Sequence, residues 1–235
     1  MASAAAISAL QWWSDAGVDV MVDETPRDWL RPKSKAPAAP TVAPLSEPAE
    51  VLPDQLELFR GYLRDSPKLP FASPTARRVC PAGDPASGLM ILTDMPAAED
   101  CSANSLLSGE TGRLFDRMLA AMGRDRNSIY LASLSCLRSP DGRFTNETAA
   151  QCATLARHHI GLAAPKALLL FGDAVSKALL GIGMAQARGR WHEIQTHSGP
   201  IKAIVTLPPS YLLNQRAAKA HAWADLQMLI EGLNR

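Results

Sequence analysis

Four short, mostly apolar runs divide the chain from residue 89 onward: Leu89–Thr93 (LMILT), Ile129–Leu134, Ala167–Phe171 (ALLLF) and Ile201–Leu207 (IKAIVTL). Such runs, bounded by polar turns, suit strands buried on both faces. Helical spacing fills the gaps. Asp54 to Tyr62 places Leu56, Phe59 and Leu63 on one side, with Asp54 as N-cap. Thr111 to Met122 aligns Leu114, Met118 and Ala121 and stops at Gly123. Asn146 to Ala163 opens with Thr145-Asn146-Glu147 and closes before Pro165. Ala174 to Leu180 follows the third run. Ala217 to Leu233 is a long final helix whose buried side is expected to carry Trp223, Leu226, Ile230 and Leu233. This alternation predicts an α/β fold: a three-layer α/β/α sandwich on a central, mainly parallel four-stranded sheet with right-handed crossovers.

Upstream the pattern changes. Residues 1–31 hold one short amphipathic stretch, Ile7 to Ala16, with Leu10 and Trp13 on one face and three tryptophans (Trp12, Trp13, Trp29) in all. A helix this short is marginal alone, so it either docks on the main domain or binds a partner. Residues 32–53 carry six prolines among Ala, Ser and Thr, the composition of an extended linker. The folded domain is expected over residues 54–235.

Composition narrows the classes. Of 235 residues, 47% are apolar and 20% charged, enough for a core, and 24 Lys+Arg against 23 Asp+Glu leave a charge of +1. This balance excludes a polybasic tail, though not a local basic groove. The four cysteines, at 80, 101, 136 and 152, form no C-x-x-C pair, which argues against a zinc ribbon or a secreted disulfide framework. No stretch approaches the roughly 18 apolar residues of a membrane span, and Met-Ala-Ser-Ala-Ala-Ala lacks a basic leader region. The expectation is a cytoplasmic protein with no membrane partner.

Ligands of parallel sheets bind at the carboxyl ends of the strands. After the first run come Asp94, Glu99 and Asp100, suited either to acid–base work or to satisfying helix amides. After the second comes Arg138-Ser139-Pro140-Asp141-Gly142-Arg143, a tight turn flanked by arginines. Gly172-Asp173 follows the third. The fourth leads to Pro208-Pro209-Ser210-Tyr211-Leu212-Leu213, a stiff loop with an apolar tip that either packs on the domain or wedges between bases.

From about Leu69 onward, the order of several blocks resembles the uracil-DNA glycosylase superfamily, specifically its iron–sulfur (family 4) branch. The blocks are Gly109-Glu110-Thr111-Gly112-Arg113-Leu114-Phe115, Arg138-Ser139-Pro140, Phe171-Gly172-Asp173-Ala174-Val175, Arg188-Gly189-Arg190-Trp191-His192 and Pro209-Ser210-Tyr211-Leu212-Leu213, with Lys219…Trp223…Asp225 after them. The resemblance implies a DNA-repair glycosidase that hydrolyses the N-glycosidic bond of a flipped base. That base stacks on an aromatic ring and is read by an amide, with a carboxylate beside the sugar and a histidine donor at the departing base.

Carried over residue by residue, the resemblance makes Asp94 the catalytic carboxylate. Met95, Pro96, Leu107, Ser133 and Pro208 fall in the base pocket, where Leu107 replaces the stacking Phe, Ser133 the edge-reading Asn and Pro208 the His. DNA contacts fall to Arg138, Arg143, Arg188, Arg190, Pro209, Ser210, Tyr211 and Leu212, with Lys177 beside the basic track. The family's four-iron, four-sulfur cluster would sit at Ser66, Leu69, Leu137 and Cys152, of which one is a cysteine, so the cluster is expected to be lost and no other cofactor or metal is implied.

Three readings stay open. One is a divergent glycosylase acting through Asp94, with uracil excision in its usual form not expected. The second is a non-catalytic DNA- or protein-binding module that keeps the fold, with the Trp-containing N-terminal segment as a partner-binding arm. The third is a small-ligand or nucleotide binder, which the absence of G-x-G-x-x-G and Walker loops weakens.

Overall fold

The computed structural model describes residues 52–233, together with Trp12. The expected N-terminal helix at 7–16, apart from Trp12, and all of the linker but Leu52 and Pro53 lie outside the described residues. Six strands form one sheet: β1 (Ala82–Gly83), β2 (Leu89–Thr93), β3 (Tyr130–Ser133), β4 (Ala167–Phe171), β5 (Trp191–Thr196) and β6 (Gly199–Thr206), in the spatial order β1-β3-β2-β4-β6-β5. The four expected strands are its parallel centre. The expected four-stranded sheet is extended by two antiparallel edges, β1 on β3 and β5 on β6. Neither edge has an apolar run to announce it. β1 is two exposed residues, and of the six residues of β5 only Ile194 is buried.

Every residue of β2 and β4 is buried, and the pleat divides them between two cores. Met90, Leu92, Leu168, Leu170 and Val205 face one way, against α4 (Asn146–Ala163) and α5 (Asp173–Leu180). Leu89, Ile91, Leu169, Phe171 and Ile204 face the other way, against α3 (Gly109–Ala121) and α8 (Lys219–Leu233). Helices therefore cover both faces. Helix α4 begins where the sequence placed it: Thr145 Oγ1 accepts from the Thr148 amide at 3.2 Å, and Thr148 Oγ1 accepts from the Thr145 amide at 2.9 Å. Helix α1 (Leu56–Asp65) starts two residues later than expected, with Gln55 rather than Asp54 at its N-cap. Shorter helices are α2 (Ala98–Ala103), α6 (Met184–Ala187) and α7 (Pro209–Asn214).

Helix α8 is rotated from the expected face. Ala222, Asp225, Leu226 and Leu229 point inward, whereas Trp223 keeps 39% of its surface exposed. The cause is polar: buried Asp225 accepts from Arg188 and from Thr206, and this pins the helix azimuth. Among the described residues no helix is long and apolar enough to cross a membrane.

Candidate functional site

Strand order locates the site. The chain leaves β2 through α3 toward β3 on one side, and leaves β4 through α5 toward β6 on the other. Connections therefore diverge between β2 and β4, and their carboxyl ends open a crevice there. A cleft of about 680 Å³ occupies it. Asp94 and Met95, directly after β2, form one wall; Asp173, Ala174 and Lys177 of α5 form another; Arg143 to Asn146 and the start of α4 close the third.

Asp94 keeps an open face toward the cleft, but protein atoms crowd its other sides, and this desolvation raises its carboxyl pKa above the ordinary aspartate value. Hydrogen bonds from the Met95 and Asp94 backbone and from Thr93, and the charge of Arg138, oppose the rise without cancelling it. A carboxylate of this kind is a better base than a solvated one and, when ionised, can face a developing cation.

The turn opposite Asp94 is tightly built. Ser139 Oγ donates to Asp141 Oδ1 (2.9 Å) and accepts from the Arg143 amide (2.8 Å). Arg138 donates to the Pro96 carbonyl at 3.2 Å and lies against Gly142, where an added Cβ would meet its guanidinium at 2.9 Å. Arg138 thus ties the loop after β2 to the turn after β3. At the end of β4, Gly172 adopts φ 91°, a conformation side chains resist, and there turns the chain into α5 beside Pro208. Asp173 is held by Lys177 (2.6 Å) and by the Met184 amide (3.0 Å).

Of the expected residues, the cleft collects Asp94, Met95, Arg143 and Lys177. Pro96 is buried behind it. Leu107 does not border it: its side chain is 7% exposed in the core under α3, and its backbone sits at φ 51°. Arg126 holds that strained loop, donating to the carbonyls of Leu106 (2.8 Å) and Leu107 (2.7 Å). Gly112 packs so closely that a Cβ would fall 2.2 Å from the Leu107 carbonyl oxygen, which explains the second glycine of the Gly109–Arg113 block. Ser133 borders a separate, small cavity with Cys136 and Cys152, and Pro208 caps α7 away from the cleft wall.

The basic track is also redistributed. Arg143 stands at the cleft, Arg138 is exposed on the adjoining turn and Arg190 is exposed before β5, but Arg188 is partly buried and committed to its ion pair with Asp225 (2.8 Å). In the loop after β6, Ser210 and Tyr211 are exposed, while Pro209 and Leu212 are buried. Leu212 packs with Leu207, Ala222 and Leu114, so Tyr211, 46% exposed, is the large side chain left for a wedge. Of the three acids after β2, Asp100 is structural: it accepts from the Ala97 amide (3.0 Å) and from the Ser108 amide (2.7 Å) and hydroxyl (2.6 Å).

The cleft is also lined by Phe144 and Asn146, which were not among the expected site residues. They follow the second apolar run, in a segment where only the arginines carry a charge that marks a ligand contact.

The positions of the family's cluster do not fit an iron–sulfur group. Leu69 and Leu137 are 6% and 1% exposed and pack with Phe59, Leu63 and Cys136, and the space beside them is about 20 Å³, room for little more than a water. Burial also pushes the Cys136 thiol up to about 12 and Cys152 to about 11, disfavouring the thiolates that ligation requires. Among the described residues no three His, Cys, Asp or Glu side chains gather as a metal site.

Residues 80–227 match the family model of the uracil DNA glycosylase superfamily, and the chain belongs to that superfamily. It is also similar to the type-4 uracil-DNA glycosylase of Pyrobaculum aerophilum, at 21% identity over 184 residues that cover 75% of this chain and 94% of that protein.

Proposed function

We propose that this chain is a DNA-repair protein that binds DNA at the carboxyl ends of β2 and β4 and admits a base to the cleft, with Asp94 as its functional carboxylate. The observation that carries this reading is the position of Asp94 at the divergence of β2 and β4, open to a cleft that also has Arg143 on its wall. Family membership supports DNA as the ligand. In an excision reaction, ionised Asp94 would stabilise the oxocarbenium-like sugar and orient the attacking water; the base would leave with the bonding electron pair. Uracil release in the usual form is not what these residues favour, since Pro208 has no donor and Leu107 no π face. Tyr211, Arg143 at the cleft and Arg138 on the adjoining turn would hold the strand, and the Trp-containing N-terminal segment would serve a protein partner.

The test is base release from single- and double-stranded oligonucleotides carrying uracil, hypoxanthine or a mismatch, with Asp94→Asn as control. Release that disappears in Asp94→Asn supports a glycosylase. A second reading, a recognition module without catalysis, is favoured by the placement of Leu107 in the core; salt-sensitive DNA retention with no release would establish it.

A further inference from the structure

The cleft borders bring together four chemistries: an aromatic ring (Phe144), an amide (Asn146), a guanidinium (Arg143) and a carboxylate (Asp94). The ring, the amide and the guanidinium match what a nucleotide presents. Its base offers a π face and a hydrogen-bonding edge, and its phosphate a negative charge. We propose that a single nucleotide occupies this cleft, its base stacked on Phe144 and its edge read by Asn146, with Arg143 at the phosphate. The proposal rests on the reading that DNA enters this cleft, and it moves base recognition to residues that resemblance does not point to.

Three observations carry it. Phe144 is held: its ring lies 5.9 Å from that of Phe71, tilted by 52°, and packs on the core between sheet and α4. Asn146 is the first residue of α4, fixed by the reciprocal Thr145–Thr148 bonds, yet its own amide has no hydrogen-bond partner among the described residues. Its two-point donor and acceptor capacity is therefore unused. Arg143 gives its backbone amide to the turn, and its charge also acts on Asp141, but its guanidinium makes no hydrogen bond or close ion pair among the described residues. The volume, about 680 Å³, lies within the range of small-ligand sites, roughly 300–1,000 Å³. Leu107 and Ser133 are elsewhere, one in the core and one on another cavity.

The experiment is NMR titration of the full chain, isotope-labelled, with 2′-deoxyuridine 5′-monophosphate, the four common deoxynucleoside 5′-monophosphates, deoxyribose 5-phosphate, and a single-stranded oligonucleotide. The nucleotides and the strand are expected to shift the Phe144 ring and the Asn146 side-chain amide, and deoxyribose 5-phosphate is not. Phe144→Ala should weaken nucleotide binding about fivefold or more, as loss of a stacked base predicts, and Phe144→Tyr should restore it. Asn146→Ala, at an exposed position, should level the differences among bases. Shifts confined to residues outside the cleft, or unchanged affinities in both Phe144→Ala and Asn146→Ala, overturn the assignment. If the oligonucleotide still binds while these variants are silent, the pocket fails but the DNA-binding reading stands. If neither nucleotide nor strand binds, both fall.

Discussion

Arg188 pairs with the buried Asp225: Nε and Nη2 of the arginine both lie 2.8 Å from one carboxylate oxygen, and Thr206 Oγ1 donates to the same oxygen at 2.7 Å. The pair links the segment before β5, the end of β6 and the middle of α8, so three separate stretches of chain meet at one oxygen. Arg188→Ala leaves the Asp225 carboxylate, 3% exposed, without its charge partner, whereas Asp225→Ala leaves an arginine that is 20% exposed and can reach water. Arg188→Ala is expected to cost about 3–5 kcal/mol, and Asp225→Ala less, read from urea midpoints at constant m-value. A loss under 1 kcal/mol in both would show that the pair does not hold the helix.

Acidity at Asp94 has a definite sign. Its folded pKa lies above the ordinary value of 3.8, so the folded state holds the proton longer than the unfolded chain. That preference supports the fold below about the unfolded value and is lost as pH rises through the raised folded value. Asp94→Asn should therefore be more stable than wild type at pH 7, and this advantage should vanish toward pH 3. Base release, if it depends on the ionised form, should rise with pH through the same raised pKa. Denaturation midpoints and single-turnover rates across pH 3 to 8 check both.

His159 titrates in the opposite sense. It is buried, bonded to Tyr130 Oη at 2.8 Å, and desolvation lowers its pKa from 6.5 to about 3. The unfolded chain then binds a proton that the folded chain refuses. Stability should fall as pH drops below about 6.5, approaching about 1.4 kcal/mol per pH unit from this residue alone. His159→Phe should flatten that slope relative to wild type, whatever its effect at pH 7.5.

Leu69 and Leu137 fill positions that resemblance gives to iron ligands. Leu137→Ala should destabilise by about 2–5 kcal/mol, the cost of emptying a packed site. The purified protein should be colourless near 400 nm. Iron found in stoichiometric amount would contradict the packing described around Leu137.

Neighbouring residues on α7 should behave differently. Leu212→Ala should lower stability by about 2–5 kcal/mol, because Leu212 is 1% exposed. Tyr211→Ala, at an exposed position, should change stability by under about 0.5 kcal/mol and weaken DNA retention. Thermal midpoints and fluorescence anisotropy separate the two. Equal behaviour of the two variants would remove Tyr211 from the DNA-binding surface.

The sequence by itself determined the central strands and the helices between them. A strand buried on both faces must be apolar throughout, so LMILT and ALLLF are legible without a partner, and Thr145 shows where α4 starts because a cap is a local bond. It also placed Asp94 and Arg143 at strand ends. Only the tertiary structure decided which ends adjoin. The edge strands, the inward turn of Asp225, the ion pair that takes Arg188, the burial of Leu107 and Leu212, and the meeting of Phe144 and Asn146 with Asp94 all depend on strand order. Strand order is set by contacts between residues far apart in the chain, and a local pattern of apolar and polar positions carries no trace of them.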